Sequence, residues 1–223
     1  MHDENTKKDD SPKKKRKGFK ILIIVLGVIL ILAIGGLAAF NIYRYPAKFR
    51  DLKNTSLGAD KTAELKKGIL AKEDPNILVA YFSHSGTTKG VAESIASSTG
   101  GTLFEIKTVK TYSSVYTESN REIRKNERPE LSGTVQDMDK YDIVFVGYPV
   151  WWHATPAPIN TFLESYDLKG KLIIPFCTSG ESQIDETLPT FLDSCDGLAV
   201  YEGKRLNAAG VSAWIEELGI KLR

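Results

Sequence analysis

The residues best suited to chemistry are Ser83, His84, Ser85, Gly86, Thr87 and Thr88, six positions in a row. They follow an apolar run, Ile77 to Phe82. After them Val91, Ala92, Ile95 and Ala96 share one face at helical spacing, and Gly100-Gly101 ends the pattern. Strand, hydroxyl-rich loop and helix in that order aim backbone N–H groups and hydroxyls at one point above a helix N-terminus. Unpaired amides and the helix dipole both favour an anion there, a phosphate in particular. The same residues also suit a plain helix cap and surface turn. Neither the Walker pattern nor Gly-x-Gly-x-x-Gly occurs in the chain.

Two further loops carry unusual groups. Pro149-Val150-Trp151-Trp152-His153-Ala154 places two indoles side by side. Thr178-Ser179-Gly180-Glu181-Ser182 is small and polar. No catalytic set stands apart from these loops: there is no Gly-x-Ser-x-Gly elbow and no Cys/His metal spacing. His84 and His153 both fall on the loops, where either could donate to a phosphate or exchange a proton. A solvated loop histidine is the expected role. Cys177 and Cys195 are expected as free buried thiols.

The elements that must position these loops alternate strand and helix. Tyr141–Tyr148 and Leu172–Cys177 are near-continuous apolar runs, as in central parallel strands covered on both faces. Thr102–Lys107 alternates apolar and polar, like an edge strand. Pro175 breaks a ladder bond and is expected near its strand's end. Helices are expected over Glu118–Glu127, Ala157–Ser165 and Ile184–Ser194, then a strand at Leu198–Tyr201. A last helix capped by Asn207 turns Val211, Trp214, Ile215 and Leu218 inward. Tyr112 and Tyr116 are expected in solvent-edge packing. The pattern implies an α/β fold, a doubly wound parallel five-stranded sheet. Ligands of such sheets bind beyond the carboxyl ends of the strands, where all three loops emerge.

The loop Ser83–Thr88 matches a [Ser/Thr]-x-[Ser/Thr]-Gly-x-Thr pattern in full, and the second loop reads Pro-Val-Trp-Trp. Residues 76–223 therefore resemble the flavodoxin family, and specifically a bacterial flavodoxin-like group with a Pro-[Val/Ile]-Trp-Trp loop. The resemblance implies a flavodoxin-like fold and FMN as cofactor. It implies phosphate on Ser83–Thr88, isoalloxazine against Trp151 and Trp152 with Pro149, Val150 and His153 around it, and the ring edge near Thr178, Ser179, Gly180 and Ser182. Glu181 and Gln183 depart from it, standing where the family tends to have glycines. A carboxylate near the ring would lower the potential of the reduced flavin. A response-regulator receiver shares the element order but needs acidic residues where this chain has Ser83 and Pro149.

The N-terminal third divides differently. Residues 1–20 read as a basic disordered tail. Ile21–Phe40 contains no charge and no proline, and fourteen of its residues are Ile, Leu, Val or Phe. At about 1.5 Å per residue this spans a ~30 Å hydrocarbon core. Residues 21–43 are accordingly expected as an uncleaved transmembrane signal anchor. Eight Lys or Arg residues lie in the twenty positions before Ile21 and four in the twenty after Phe40. That asymmetry puts the N-terminus in the cytoplasm and the C-terminal domain outside. Residues 44–75 are expected as a stalk, a spacer that includes a helical stretch at Lys61–Lys72 and ends at Pro75.

From residue 76 onward the chain has 14 Lys+Arg and 19 Asp+Glu, a net of −5. An acidic domain argues against nucleic acid and suits a basic redox partner. Three functions follow as expectations: a membrane-tethered FMN electron carrier serving a redox partner protein or small electron acceptor, an FMN-dependent NAD(P)H:quinone-type oxidoreductase, or a flavin-free interaction domain.

Overall fold

A computed structural model describes residues 13–48 and 50–223. The basic tail expected over residues 1–20 lies outside the described residues as far as residue 12. The chain divides into two compact units, Met1–Tyr43 and Arg44–Arg223. The described residues of the first belong to one helix, α1, whose full run is Lys13–Arg44. From Phe19 to Arg44 it is long and apolar enough to cross a membrane. Its large apolar side chains are exposed from Phe19 to Tyr43.

The second unit is built on parallel strands β1 (Ile77–Tyr81), β2 (Thr102–Glu105), β5 (Ile143–Pro149), β6 (Leu172–Thr178) and β7 (Ala199–Val200), in the spatial order β2-β1-β5-β6-β7. This is the doubly wound order with its switch between β1 and β5. A two-stranded antiparallel pair, β3 (Lys107–Thr108) and β4 (Leu131–Ser132), stands apart, so the edge strand expected over Thr102–Lys107 ends at Glu105. Central strands buried on both faces explain the continuous apolar runs. One face of Ile77, Val79, Phe145, Ile174 and Phe176 packs on α3 (Thr87–Thr99) and α7 (Val211–Glu217). Leu78, Val144, Val146 and Ile173 meet α5 (Ala157–Glu164) and α6 (Ile184–Leu192) on the other.

Pro175 sits in the middle of β6, not near its end. The carbonyls of Ile173 and Cys177 accept from Tyr201 and Leu206, so Pro175, two residues from each, also faces the edge strand. Having no N–H, it cannot donate there. The edge strand breaks opposite it and resumes as β8 (Lys204–Arg205). Gly203 fills the break, because a side chain would press on the Pro175 carbonyl. Asn207 caps a 3₁₀ turn, Ala208–Gly210, directly before α7. Val211, Trp214, Ile215 and Leu218 are buried as the periodicity requires. Cys177 and Cys195 are free and buried, and burial pushes each thiol up to about 12.

Residues 44–75 differ most from expectation. They do not stand off the domain as a spacer; they pack against it. Helix α2 (Ala59–Leu70) inserts Ile69, 4 % exposed, into the core beside Ile77 and Trp214. The Leu57 N–H donates to the Leu198 carbonyl, and the Gly197 N–H to that of Thr55. Arg50 pairs with Asp193 at 2.6 Å and donates to the Ile123 carbonyl at 3.1 Å. The physical reason is apolar content: Leu57, Leu65, Ile69 and Leu70 would expose a stripe if the segment were free. Changing Ile69 to Ala should therefore lower the unfolding free energy of the 44–223 fragment by about 2–5 kcal/mol, as for a core residue. A spacer residue would change it by about 0.5 kcal/mol or less in a urea titration.

Candidate functional site

The loop after β1 begins where Phe82 donates its N–H to the Gly147 carbonyl of the neighbouring strand. Gly86 follows at φ +89, a left-handed turn that opens α3, and a Cβ there would meet nothing within 4 Å. The Gly86 N–H donates to Ser83 Oγ at 3.2 Å. Ser85 and Thr87 hydroxyls lie 3.3 Å apart and, like His84, are exposed. The first-turn amides of α3 have no acceptor within the helix. Thr88 is different: its hydroxyl is buried and bonds Thr178 Oγ1 at 2.8 Å. These two hydroxyls clamp the first loop to the third.

The second loop is a tight turn. Trp151 and Ala154 exchange backbone hydrogen bonds at 3.2 and 2.9 Å. Between them Trp152 and His153 have φ +53 and +57. Two left-handed residues in succession match a type I′ turn, normally the place of Asn and Gly. For bulky side chains this costs of order 1–3 kcal/mol each, so the surroundings must hold it. Trp152 Nε1 donates to Ser119 Oγ at 3.0 Å, and its ring lies in a cluster with Ala47, Ile123 and Ala154. Trp151 goes the other way, edge-on to Phe82, Tyr112 and His84, with ring centroids 5.2, 5.3 and 6.0 Å apart. Trp151 thus stands beside the first loop, while both indoles pack on Ala47, Ile123 and Ala154. Pro149 and Val150 are partly buried, and the Val150 N–H donates to the Thr178 carbonyl, keeping loops two and three in register.

His153 is not a solvated loop histidine. Its Nδ1 lies 2.8 Å from Glu186 Oε2 and 2.9 Å from Ser182 Oγ, and Arg44 Nε donates to its Nε2 at 3.2 Å. Since arginine only donates, Nε2 accepts, which assigns the proton to Nδ1. Tyr45 stacks on the ring at 4.5 Å. Hydrogen bonds from the Gln183 N–H and from His153 hold the Glu186 carboxyl below its usual range. In the third loop Ser179 Oγ accepts from the Glu181 and Ser182 amides, Gly180 is exposed, and Ser182 is buried. Gln183 serves as the N-cap of α6 in a reciprocal box with Glu186. Glu181 pairs with Arg44 at 3.3 Å, so its charge does not stand alone.

Helix α4 (Val115–Lys125), which starts three residues before the helix expected over Glu118–Glu127, also reaches the site. It supplies Ser119, and Tyr116 lies edge-on to Trp152. The Tyr112 hydroxyl donates to Glu122 Oε2 at 2.8 Å; burial raises both groups above their ordinary values. The signal was present in the strongly one-sided distribution of its apolar and polar residues. Among the described residues no His/Cys/Asp/Glu group could hold a metal.

This arrangement, a doubly wound sheet with an amide- and hydroxyl-lined first loop faced by an indole from the second, defines a mononucleotide-binding class of fold. The family described as Flavodoxin matches residues 76–218, and the chain belongs to it. Among solved structures it is similar to a flavoprotein of Bacteroides eggerthii at 34 % identity and TM-score 0.60, covering 66 % of this chain and 99 % of that one. A Bacteroides uniformis flavoprotein is similar at 34 % identity and TM-score 0.58, covering 65 % and 99 %. A Lactobacillus acidophilus flavoprotein solved in complex with FMN is similar at 27 % identity and TM-score 0.55, covering 63 % and 98 %. No curated protein matches the chain.

The anchoring of α4 should depend on pH. Hydrogen bonds from the Ser113 hydroxyl and the Ser114 and Ser113 amides, with Lys110, hold the Glu118 carboxyl down to about 2 against an ordinary 4.5. The folded value is the lower one, so its contribution is present above about 4.5 and is lost as pH falls toward 2. Asp142, Glu164 and Glu186 are lowered too and act with the same sign. Tryptophan emission should shift to the red as pH falls through that window. Glu118→Gln should show part of the shift already at neutral pH and a shallower dependence below it.

Proposed function

We propose that the domain binds FMN and transfers electrons, and that α1 tethers it to a membrane. The observation that carries the reading is the pairing of an open, amide-rich α3 N-terminus with the Trp151 ring across from it. The donor set fits the group. Gly86 leaves the backbone uncovered, and the exposed Ser85 and Thr87 hydroxyls with the first-turn amides of α3 would hold a phosphate. Trp151 would take the flavin ring, since a flat aromatic partner gains ~0.5–1.5 kcal/mol beyond area burial. The Lactobacillus relative in complex with FMN and the family membership support the cofactor.

The chemistry supplied by bound FMN is one- or two-electron transfer. The protein's part is to position and to set charge. The Thr88–Thr178 bond fixes the first loop against the third. The strained turn, held through Ser119, fixes the Trp151 backbone. Arg44 offsets Glu181, the carboxylate expected to lower the potential. The excess of cations before Ile21 favours a cytoplasmic N-terminus and an external domain. The acidic balance beyond residue 76 suits docking on a basic partner and favours a carrier over an oxidoreductase acting on its own substrate.

The test is a spectrum and a titration. Residues 44–223, purified, should be yellow or turn yellow with added FMN. Thr87→Ala should weaken FMN about 10- to 100-fold, the worth of a hydrogen bond to a charged group at ~1.5–3 kcal/mol. Trp151→Ala should weaken it more than Trp152→Ala. A protein that stays colourless in excess FMN, with the fold intact by circular dichroism, overturns the reading.

A further inference from the structure

The segment that follows α1 builds a wall that the family match does not include. Tyr45, Lys48 and Leu52 lie within eight residues of Arg44, the last residue of the helix, and outside the matched residues 76–218. With Trp152, Glu186 and Pro189 they enclose a cavity of about 330 Å³. Small-molecule sites run from about 300 to 1,000 Å³, mostly apolar with a few placed polar groups. This cavity has that character: the Tyr45 and Trp152 rings, Leu52 and Pro189 make its apolar walls, and Lys48 and Glu186 mark its polar edge.

We propose that this cavity receives the ring of a lipid-soluble quinone. The proposal rests on α1 spanning the membrane, and on no part of the flavin assignment. Three observations select the occupant. First, continuity: Arg44, the last residue of the apolar helix, is itself bonded to His153 and Glu181, so in sequence the wall begins directly where the helix ends. Second, shape: aromatic walls suit a flat ring, whereas an acyl chain would leave the Lys48 and Glu186 edge unanswered. Third, charge: the Lys48 ammonium, 5.9 Å from the Tyr45 ring, can donate to a quinone carbonyl, while a dinucleotide would bring phosphates toward the Glu186 carboxylate. The cavity shares Trp152 and His153 with the turn that carries Trp151, so an occupant would sit beside the proposed electron-transfer site.

The experiment uses the full chain in phosphatidylcholine vesicles and an azido-naphthoquinone bearing a short isoprenoid tail. After illumination, label mapped by peptide mass spectrometry should concentrate on residues 45–52 and 186–190. Excess unlabelled tailed naphthoquinone should reduce it at least tenfold. Ala47→Leu, which narrows the cavity, should reduce it similarly at an unchanged melting temperature; if that variant does not fold, Leu52→Phe serves the same purpose. Label confined to α1, or not displaced by competitor, means a probe merely dissolved in lipid and overturns the proposal. The visible spectrum of the same sample separates the two readings. Yellow protein without displaceable label sinks the quinone site alone, and colourless protein with displaceable label sinks the flavin alone.

Discussion

The turn from Trp151 to Ala154 is the constraint on which the site depends. Left-handed backbone at Trp152 and His153 is unfavourable by of order 1–3 kcal/mol each, and no glycine relieves it. It persists because each strained residue is tied on its far side. Trp152 donates to Ser119 of α4, and His153 is bonded by Glu186, Ser182 and Arg44. A hydrogen bond to a charged group is worth about 1.5–3 kcal/mol and a neutral one about half that, so these ties are of the size needed. The result is that neighbouring indoles diverge. Both touch the cluster of Ala47, Ile123 and Ala154, but Trp152 reaches Ser119 of α4 while Trp151 lies edge-on to His84 of the first loop. A relaxed turn would not separate them in this way.

The ties reach three elements that are distant in sequence: α4, α6 and the segment just after α1. The last of these is held by unequal interactions. Arg44 and Glu181 are partly exposed, and such a pair contributes about 0–1 kcal/mol. Arg50 and Asp193 are 15 % and 9 % exposed, and Arg50 also satisfies the Ile123 carbonyl. Removing one partner of so enclosed a pair strands the other, at a cost of about 3–5 kcal/mol. Arg50 therefore fixes the segment, and Arg44 takes its place because the segment is already fixed. Charge on the domain is divided accordingly. The acidic excess belongs to the chain beyond residue 76, and Arg44, Arg50 and Lys72 of the connecting segment pair with it at Glu181, Asp193 and Asp142.

The sheet was legible because its strands are covered on both faces, so their apolar runs are unbroken and each ends at a loop of distinct composition. The first loop was legible for the same reason, as hydroxyls and a glycine directly after a strand. What could not be read was direction. Thr88 sits in the same motif as Thr87, yet one helical step turns it inward to Thr178. Pro175 looked like a strand end because a missing N–H is harmful only if something needs it, and the edge strand avoids it by breaking. The segment 44–75 looked like a spacer because its apolar residues are few and widely spaced. Ile69 matters because it meets Trp214, and Leu57 because its N–H reaches the Leu198 carbonyl, partners more than a hundred residues away. Local patterning carries no information about such distant partners.

The packed connecting segment bears on sidedness as well. Arg44 and Arg50 are two of the four cations that follow the apolar span, and both are paired in the folded domain. A count made on the finished structure would discount them and make the asymmetry look steeper than the chain presents during insertion. Orientation is decided by unpaired Lys and Arg near the span, before the domain has folded, and acidic residues contribute little. The relevant ratio is therefore eight to four, with the greater charge before the apolar span that begins at Ile21. In the proposed orientation the same cations would oppose translocation while the chain is unfolded, and they secure the connecting segment once Asp193 and Glu181 are in place. The two roles fall at different times, so the sequence can meet both with the same residues.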